Sequence, residues 1–330
     1  MSASAVLGCG AHRPARVVTN DELAADLGAT PAQLLEATGV GLRHRAEPGQ
    51  GPSDLATVAA RDALEQAGAG PGDVDFIVFA TVTPDMAFPG PGCFLQDKLG
   101  CGTVGALDVR AQCAGFVYAL ATADRFVRAG KARRVLVCAA DVHSSGLDYT
   151  PRGVAATPYF GDGAGVVFLG DGSEGGVLAT VLHNDPTDYR RFWCEFPSSR
   201  HHPARMQRPQ YEAGLHHYVL DAPAMAAQAE EALQATLVEV LGVAGVARDA
   251  VALHLVHYLD HRVARRAAER AGLPADRVVA TAAAAGHVAT GGIPIALAEA
   301  MRDGRVGRGD LVSCVAFGAG MASGGAVLRL

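Results

Sequence analysis

The stretch Ala111-Gln112-Cys113-Ala114-Gly115-Phe116, with the periodic run that follows it and the strand-like run at 134–139, decides how this chain reads. Val117, Leu120, Ala121 and Val127 recur at roughly helical spacing and Gly130 supplies a stop, so a helix is predicted over 115–129. Cys113 then stands at a helix start, where unpaired backbone N–H groups and the helix dipole favour a thiolate. The same N–H groups can receive the oxyanion of an attacked thioester. Among the seven cysteines, Cys138 and Cys314 lie inside strand-like runs and read as small buried apolar residues. Cys9, Cys93, Cys101 and Cys194 carry no reactive context.

Working outward, strand-like runs alternate with amphipathic helices: a strand at 75–82, helices at 53–66 and 115–129, and a strand at 134–139. This is an α/β pattern. Leu55, Val58, Ala59 and Ala63 are expected on the buried face of the first helix. Asp221 and Pro223 open a long helix whose buried stripe is Leu233, Leu237 and Leu241. The second half repeats the order, with a strand at 253–256, a helix at 261–271, a loop at Gly286, a helix at 293–302 and strands at 311–316 and 326–330. The repeat predicts an internal duplication, with halves at 1–170 and 171–330. Residues 182–218 break the rhythm and read as a loop-rich insertion or lid holding Trp193, Arg190, Arg191 and the histidines His201, His202, His216 and His217, which lack a metal-binding spacing.

Composition bounds the rest. A chain of 330 residues with 49% hydrophobic content can bury a large core. Its net charge of -6 argues against nucleic-acid binding, and no apolar run is long enough to span a bilayer. An odd cysteine count without paired C-x-x-C spacing, and no secretory apolar segment at the start, predict a cytoplasmic protein with neither disulfides nor bound metal.

Several segments together carry a resemblance over nearly the whole chain. They are Val6-Leu7-Gly8-Cys9-Gly10, the run from Val17 to Leu23, Thr38-Gly39-Val40, Ala87-Phe88-Pro89, the segment around Cys113, Phe160-Gly161-Asp162-Gly163-Ala164-Gly165 and Ala316-Phe317-Gly318-Ala319-Gly320. The chain resembles the β-ketoacyl-acyl-carrier-protein synthase III family of the thiolase fold. That resemblance implies a five-layered αβαβα dimer in which a tunnel leads to a Cys-His-Asn triad, with Phe88 at the dimer interface. It implies Cys113 as nucleophile and His257 as the triad histidine. The usual His-Gln-Ala-Asn run reads His257-Tyr258-Leu259-Asp260 here, and the usual Gly-Asn reads Gly286-His287. Asp260 and His261 are candidates for orienting His257, and the N–H groups of Cys113 and Ala319 for the oxyanion hole.

An imidazole donates a hydrogen bond only in the correct tautomer or when protonated, whereas an amide always does. Loss of one such donor costs about 3 to 4 kcal/mol of barrier. The sequence therefore predicts an acyltransferase of specialised metabolism, as in antibiotic biosynthesis. It would load Cys113 from a thioester and pass the acyl group to a small hydroxyl or amine acceptor without decarboxylation, with His257 as base. The alternatives are a decarboxylative condensing enzyme with His287 in place of asparagine, and a structural partner in a heterodimer. The family's adenine-gripping Trp and Arg positions read Gln33 and Ala37, while Arg152 remains near a third contact. An acyl carrier protein, more than coenzyme A, is the expected thioester carrier, and no further cofactor is expected.

Overall fold

The computed structural model describes residues 3–172, 175–203 and 205–330. Two five-stranded sheets organise it. The first runs, edge to edge, Ala3–His12, Gly163–Gly172, Arg134–Asp141, Phe76–Ala80 and Gly105–Val109. The second runs Gly176–Asn184, Ala322–Arg329, Leu311–Gly318, Leu253–His257 and Val278–Ala280. In both, the pairings read antiparallel, antiparallel, parallel, parallel from that edge, and strand order follows one scheme. The chain passes from one sheet to the other between Gly172 and Gly176.

Three apolar clusters separate these layers. One joins facing sides of both sheets through the helices Gly115–Arg128 and Gly292–Arg302, whose residues Phe116, Val117, Ile293 and Leu297 are buried. A helix hydrophobic nearly all round is what a central layer requires. The other two clusters cover the outer faces: Pro52–Gln66 and Pro91–Leu99 on the first sheet, Ala222–Ala244 and His261–Arg270 on the second. The result is the five-layered αβαβα arrangement.

Local chemistry sets the helix ends. Pro52 occupies the first turn of its helix and Asp54 reaches back to accept from the Gly51 N–H at 2.9 Å. Asp221 caps the long helix by accepting from the Ala224 N–H at 3.1 Å, and Leu233, Leu237 and Leu241 form its buried stripe. Val58 departs from the expected face and is exposed. The face that packs is carried instead by Leu55, Ala56, Ala59, Ala60 and Ala63. Small residues dominate it because the helix lies almost on the first strand: a Cβ at Gly10 would stand 2.0 Å from the Ala59 carbonyl oxygen.

The described residues of 185–218 hold only short turns, the two-residue strand Phe192–Trp193 and the helix Arg208–Glu212. Phe192–Trp193 pairs with Val219–Leu220, which fastens this insertion beside the second sheet. No helix among the described residues is long and apolar enough to cross a membrane.

Candidate active site

The helix Gly115–Arg128 is preceded by a tight turn, Gln112–Ala114, in which Gln112 takes a φ of 45°. A non-glycine residue held there is strained, and the strain fixes how Cys113 is presented. Cys113 is 3% exposed, and the following strand end packs closely on it: a Cβ at Gly318 would lie 2.7 Å from its Sγ. The backbone N–H groups of Cys113 itself and Ala319 both bond toward Sγ. Ala319 keeps an ordinary negative-side φ, since it is not among the residues with positive φ. The site therefore holds two backbone donors converging on the nucleophile.

The resting charge state differs from the expected thiolate. Burial pushes the Cys113 thiol up to about 12, helped by the Asp141 carboxylate, and the two N–H groups offset only part of this. Desolvation outweighs the helix start because the anion would sit in a nearly dry site. The thiol needs a base before it can attack.

His287 stands where such a base would stand, its Nε2 3.2 Å from Cys113 Sγ. Its loop is pinned by backbone bonds from the His287 N–H to the Tyr159 carbonyl at 2.8 Å and from the Gly161 N–H to the His287 carbonyl at 3.0 Å. Gly286 supplies the left-handed φ of 75° that this bend requires. The ring is fully buried and its Nδ1 has no well-formed partner. Burial first, then the neighbouring rings of His257 and His143, hold it well below the usual histidine range, against a weaker pull from the Tyr258 backbone.

His257 ends the strand Leu253–His257 and lies nearly parallel to His287, with ring centroids 4.6 Å apart and planes 14° apart. Both its nitrogens are engaged: Nδ1 with the Thr281 hydroxyl at 2.5 Å, Nε2 with the Ala289 carbonyl at 2.6 Å. A carbonyl only accepts, so Nε2 carries the proton and Nδ1 accepts from Thr281. Burial lowers this histidine to about 4, so it is a neutral imidazole of fixed tautomer. It is a donor in this arrangement and has no free lone pair.

Asp141 ties the two sides together. One of its oxygens accepts from the Val82 N–H at 2.8 Å, the other from the Thr290 N–H at 2.6 Å and hydroxyl at 2.7 Å. Neither Asp141 nor Thr281 was among the residues singled out in the sequence. The signal was slight: a carboxylate at a strand's C-terminal end and a threonine just past another.

The other predicted residues divide. Asp260 does not reach His257; it caps the helix His261–Arg270, accepting from the Arg262 N–H at 2.8 Å and pairing with the Arg262 guanidinium at 2.7 Å. Capping turns its carboxylate toward its own helix, which removes it as an orienting group. His261 faces the Gly39 carbonyl instead, at 3.1 Å. Arg152 pairs with Asp148 at 2.6 Å and donates to the Glu212 carbonyl of the insertion at 3.3 Å. Phe88 is 77% exposed, so it is no part of the core of one chain.

A cavity of about 310 Å³ opens onto Cys113 and Ala319. The insertion supplies much of its remaining wall through Phe192, Trp193 and Tyr218, and Arg110, Gln112 and His143 add polar groups. Two of the insertion's histidines bond to protein: His201 to Glu195 at 2.9 Å and His217 to the Gly146 carbonyl at 3.1 Å.

Known proteins share this architecture. Residues 107–186 match the family model for 3-oxoacyl-[acyl-carrier-protein] synthase III, and residues 241–330 match its C-terminal counterpart. The chain is 39% identical to a β-ketoacyl-[acyl-carrier-protein] synthase III of Rhodospirillum centenum, covering 99% of this chain and 98% of that protein. It is 35% identical to one of Methylococcus capsulatus, over 99% and 98%. Among solved structures, the synthase III of Aquifex aeolicus superposes with a TM-score of 0.88 at 30% identity, over 99% of this chain and 100% of that one. The priming β-ketosynthase of the R1128 polyketide pathway superposes at 0.89 with 28% identity, over 99% and 96%. With duplicated sheets, a buried cysteine on the central helix and full-length likeness to these enzymes, the chain belongs to the 3-oxoacyl-[acyl-carrier-protein] synthase III family.

Proposed function

We propose that this chain is a decarboxylative condensing enzyme in which His287 takes the place of the family's asparagine. The observation that carries the reading is the placement of His287 Nε2 at 3.2 Å from Cys113 Sγ, beside a parallel His257. The relatives' names, as β-ketoacyl synthases, support it. The pure transfer reading relied on His257 as base, and His257 holds its proton on Nε2 with both nitrogens engaged. A heterodimer's inert partner would have no use for a cysteine and histidine so placed.

The chemistry follows from the tautomers. The Cys113 thiol gives its proton to His287 Nε2 as sulfur attacks the incoming acyl thioester, and the departing carrier thiolate takes that proton up. Cys113 is left as an acyl thioester. A malonyl thioester then loses carbon dioxide, and the electron pair of the broken C–C bond becomes an enolate. Donation to the enolate requires the His287 hydrogen on Nε2, the opposite tautomer to the one that accepts the Cys113 proton, and requires His257 Nε2–H to turn from the Ala289 carbonyl to the enolate; in that arrangement the two rings supply two donors. The enolate carbon attacks the Cys113 acyl carbonyl, whose oxyanion is met by the Cys113 and Ala319 N–H groups. Collapse frees the Cys113 thiolate and a β-ketoacyl thioester. An acyl carrier protein would present both thioesters, since Gln33 bonds within its own helix cap and offers no stacking ring.

Carboxyl-labelled malonyl carrier protein added to the acylated protein tests this. Rapid release of labelled carbon dioxide with a β-ketoacyl product is the expected result, and His287→Ala should slow it about a hundred- to thousandfold. His287→Asn should restore most of the rate. Negligible release, with acyl groups appearing on an added alcohol or amine, would establish the transferase instead.

The assembly is proposed to be a homodimer. The edge strand Gly105–Val109 is largely exposed, and Met86 and Phe88 are 59% and 77% exposed. An open strand edge with exposed apolar residues calls for a covering partner. Light scattering at micromolar concentration should give twice the chain mass; a monomer would refute it.

A further inference from the structure

The cavity wall that faces Cys113 holds a polar pair which the condensing chemistry above does not use. His143 follows the strand Arg134–Asp141, is 1% exposed and lines the cavity with Cys113. Its Nδ1 lies 3.1 Å from the Tyr218 hydroxyl, and its Nε2 is buried without a partner. Tyr218 comes from the insertion and has no other hydrogen bond among the described residues. Phe160 and Phe192 pack around them, with His143 and Phe160 centroids 4.6 Å apart and Phe192 and Tyr218 centroids 6.0 Å apart.

Counting hydrogens shows what this pair offers. A neutral imidazole has one N–H and the phenol has one O–H, and only one of these two hydrogens can lie between Nδ1 and the hydroxyl oxygen. If the phenol donates to Nδ1, the spare hydrogen is on Nε2. If Nδ1 donates to the phenol, the spare hydrogen is the phenol's and Nε2 is a free acceptor. Either way one buried donor is left over, in a chamber whose wall carries Arg110, Gln112 and Tyr189 as well as the rings of Phe192 and Trp193. Neutrality follows from burial, which lowers His143 despite the carboxylates of Asp141 and Asp162, and from Arg45, which opposes a second positive charge.

From this geometry, and resting on the reading of Cys113 as acyl acceptor, we propose that the chamber selects an acyl group bearing a hydroxyl or keto oxygen over a plain alkyl one. An oxygen on the chain satisfies the spare donor of His143 and Tyr218. A plain alkyl chain of the same length displaces water from that donor and leaves it unpaired. Sites built to bond a polar group discriminate strongly against analogues lacking it, because the site's own polar group is then stranded.

The test reads only the loading step, in which the Cys113 S–H and an acyl thioester exchange to give acylated Cys113 and a free carrier thiol. Butyryl, 3-hydroxybutyryl and 3-oxobutyryl thioesters of pantetheine would be compared by intact-protein mass spectrometry, without malonyl donor. The oxygenated acyl groups are expected to load about tenfold faster per unit concentration. His143→Leu should abolish that preference, Tyr218→Phe should weaken it, and His143→Gln, which keeps a donor, should retain part of it. Circular dichroism of each variant separates misfolding from altered selection, and Tyr218→Phe removes only one oxygen. Equal loading of all three thioesters by the unaltered protein would overturn the proposal while leaving Cys113 as acyl acceptor. A preference unchanged in both His143→Leu and Tyr218→Phe would also overturn it. Loading of none of them, or loading that persists in Cys113→Ala, would remove the reading on which it rests and the proposal with it.

Discussion

The two duplicated sheets and the inserted segment 185–218 meet at one cavity, yet they are built on different terms. The duplicated core contributes Cys113, His257 and His287, all nearly solvent-free, from the central helix start, a strand end and a loop pinned by backbone bonds. The insertion contributes Trp193 from a two-residue strand and Tyr218 from just before the strand paired with that one, with Trp193 only half-buried. Reactive groups thus sit where packing and backbone bonds over-determine their positions, and the insertion's share of the cavity wall sits where packing is looser. Substrate choice can then change without disturbing the catalytic donors.

The largest expected effect of this difference is on stability in acid. His254 and His257, on one strand of the second sheet, are both lowered to about 4, chiefly by burial. In the unfolded chain each titrates near 6.5. Below that pH the unfolded state binds more protons than the folded state, so stability falls as pH drops from about 6.5 toward 4. Each group removes about 3 kcal/mol over the whole window. Between pH 6.5 and 5, where ordinary carboxylates stay ionised, these two rings alone should give urea unfolding a slope of up to about 2.7 kcal/mol per pH unit, and the buried His287 and His143 add to it in the same direction. A flat profile there would mean that the core admits water to these rings, and the contrast with the insertion would collapse.

What could be read beforehand follows the same division. Helical spacing from Val117 to Val127 and the repeated strand and helix order located the central layer and the duplication, because periodicity records which face is buried. Periodicity says nothing about where a ring nitrogen points. The contact of Cys113 with His287 joins residues 174 apart, and the two backbone acceptors that orient His257 and the His287 loop come from other segments. Asp260 illustrates the failure. Its position three residues after His257 looked like that of an orienting group, but the helix it caps took its carboxylate first. The expected Cys113 thiolate failed for a related reason, since a helix start is visible in sequence and the depth of burial around it is not. His143 and Tyr218, 75 residues apart, converge only in the folded chain.

The smallest effect on stability, and the sharpest test of the division, is expected at Trp193. Its ring lines the cavity and the Arg190 guanidinium lies over it, 5.5 Å from the centroid. The two-residue strand it belongs to is held by pairing with Val219–Leu220, which depends on backbone and not on the indole. Trp193→Ala should therefore lower the unfolding free energy by only about 1 kcal/mol, the scale of an exposed cation–π contact plus modest burial. It should raise KM for the acyl thioester about tenfold while kcat for carbon dioxide release changes less than about threefold, as expected for lost binding that is the same in ground and transition states. Steady-state kinetics and urea unfolding on one preparation give both numbers. A fall in kcat at constant KM would place Trp193 in the transition state, and a loss of about 3 kcal/mol or more would make the insertion part of the core. Either result would show that the catalytic sheets and the acyl-facing segment are one cooperative unit.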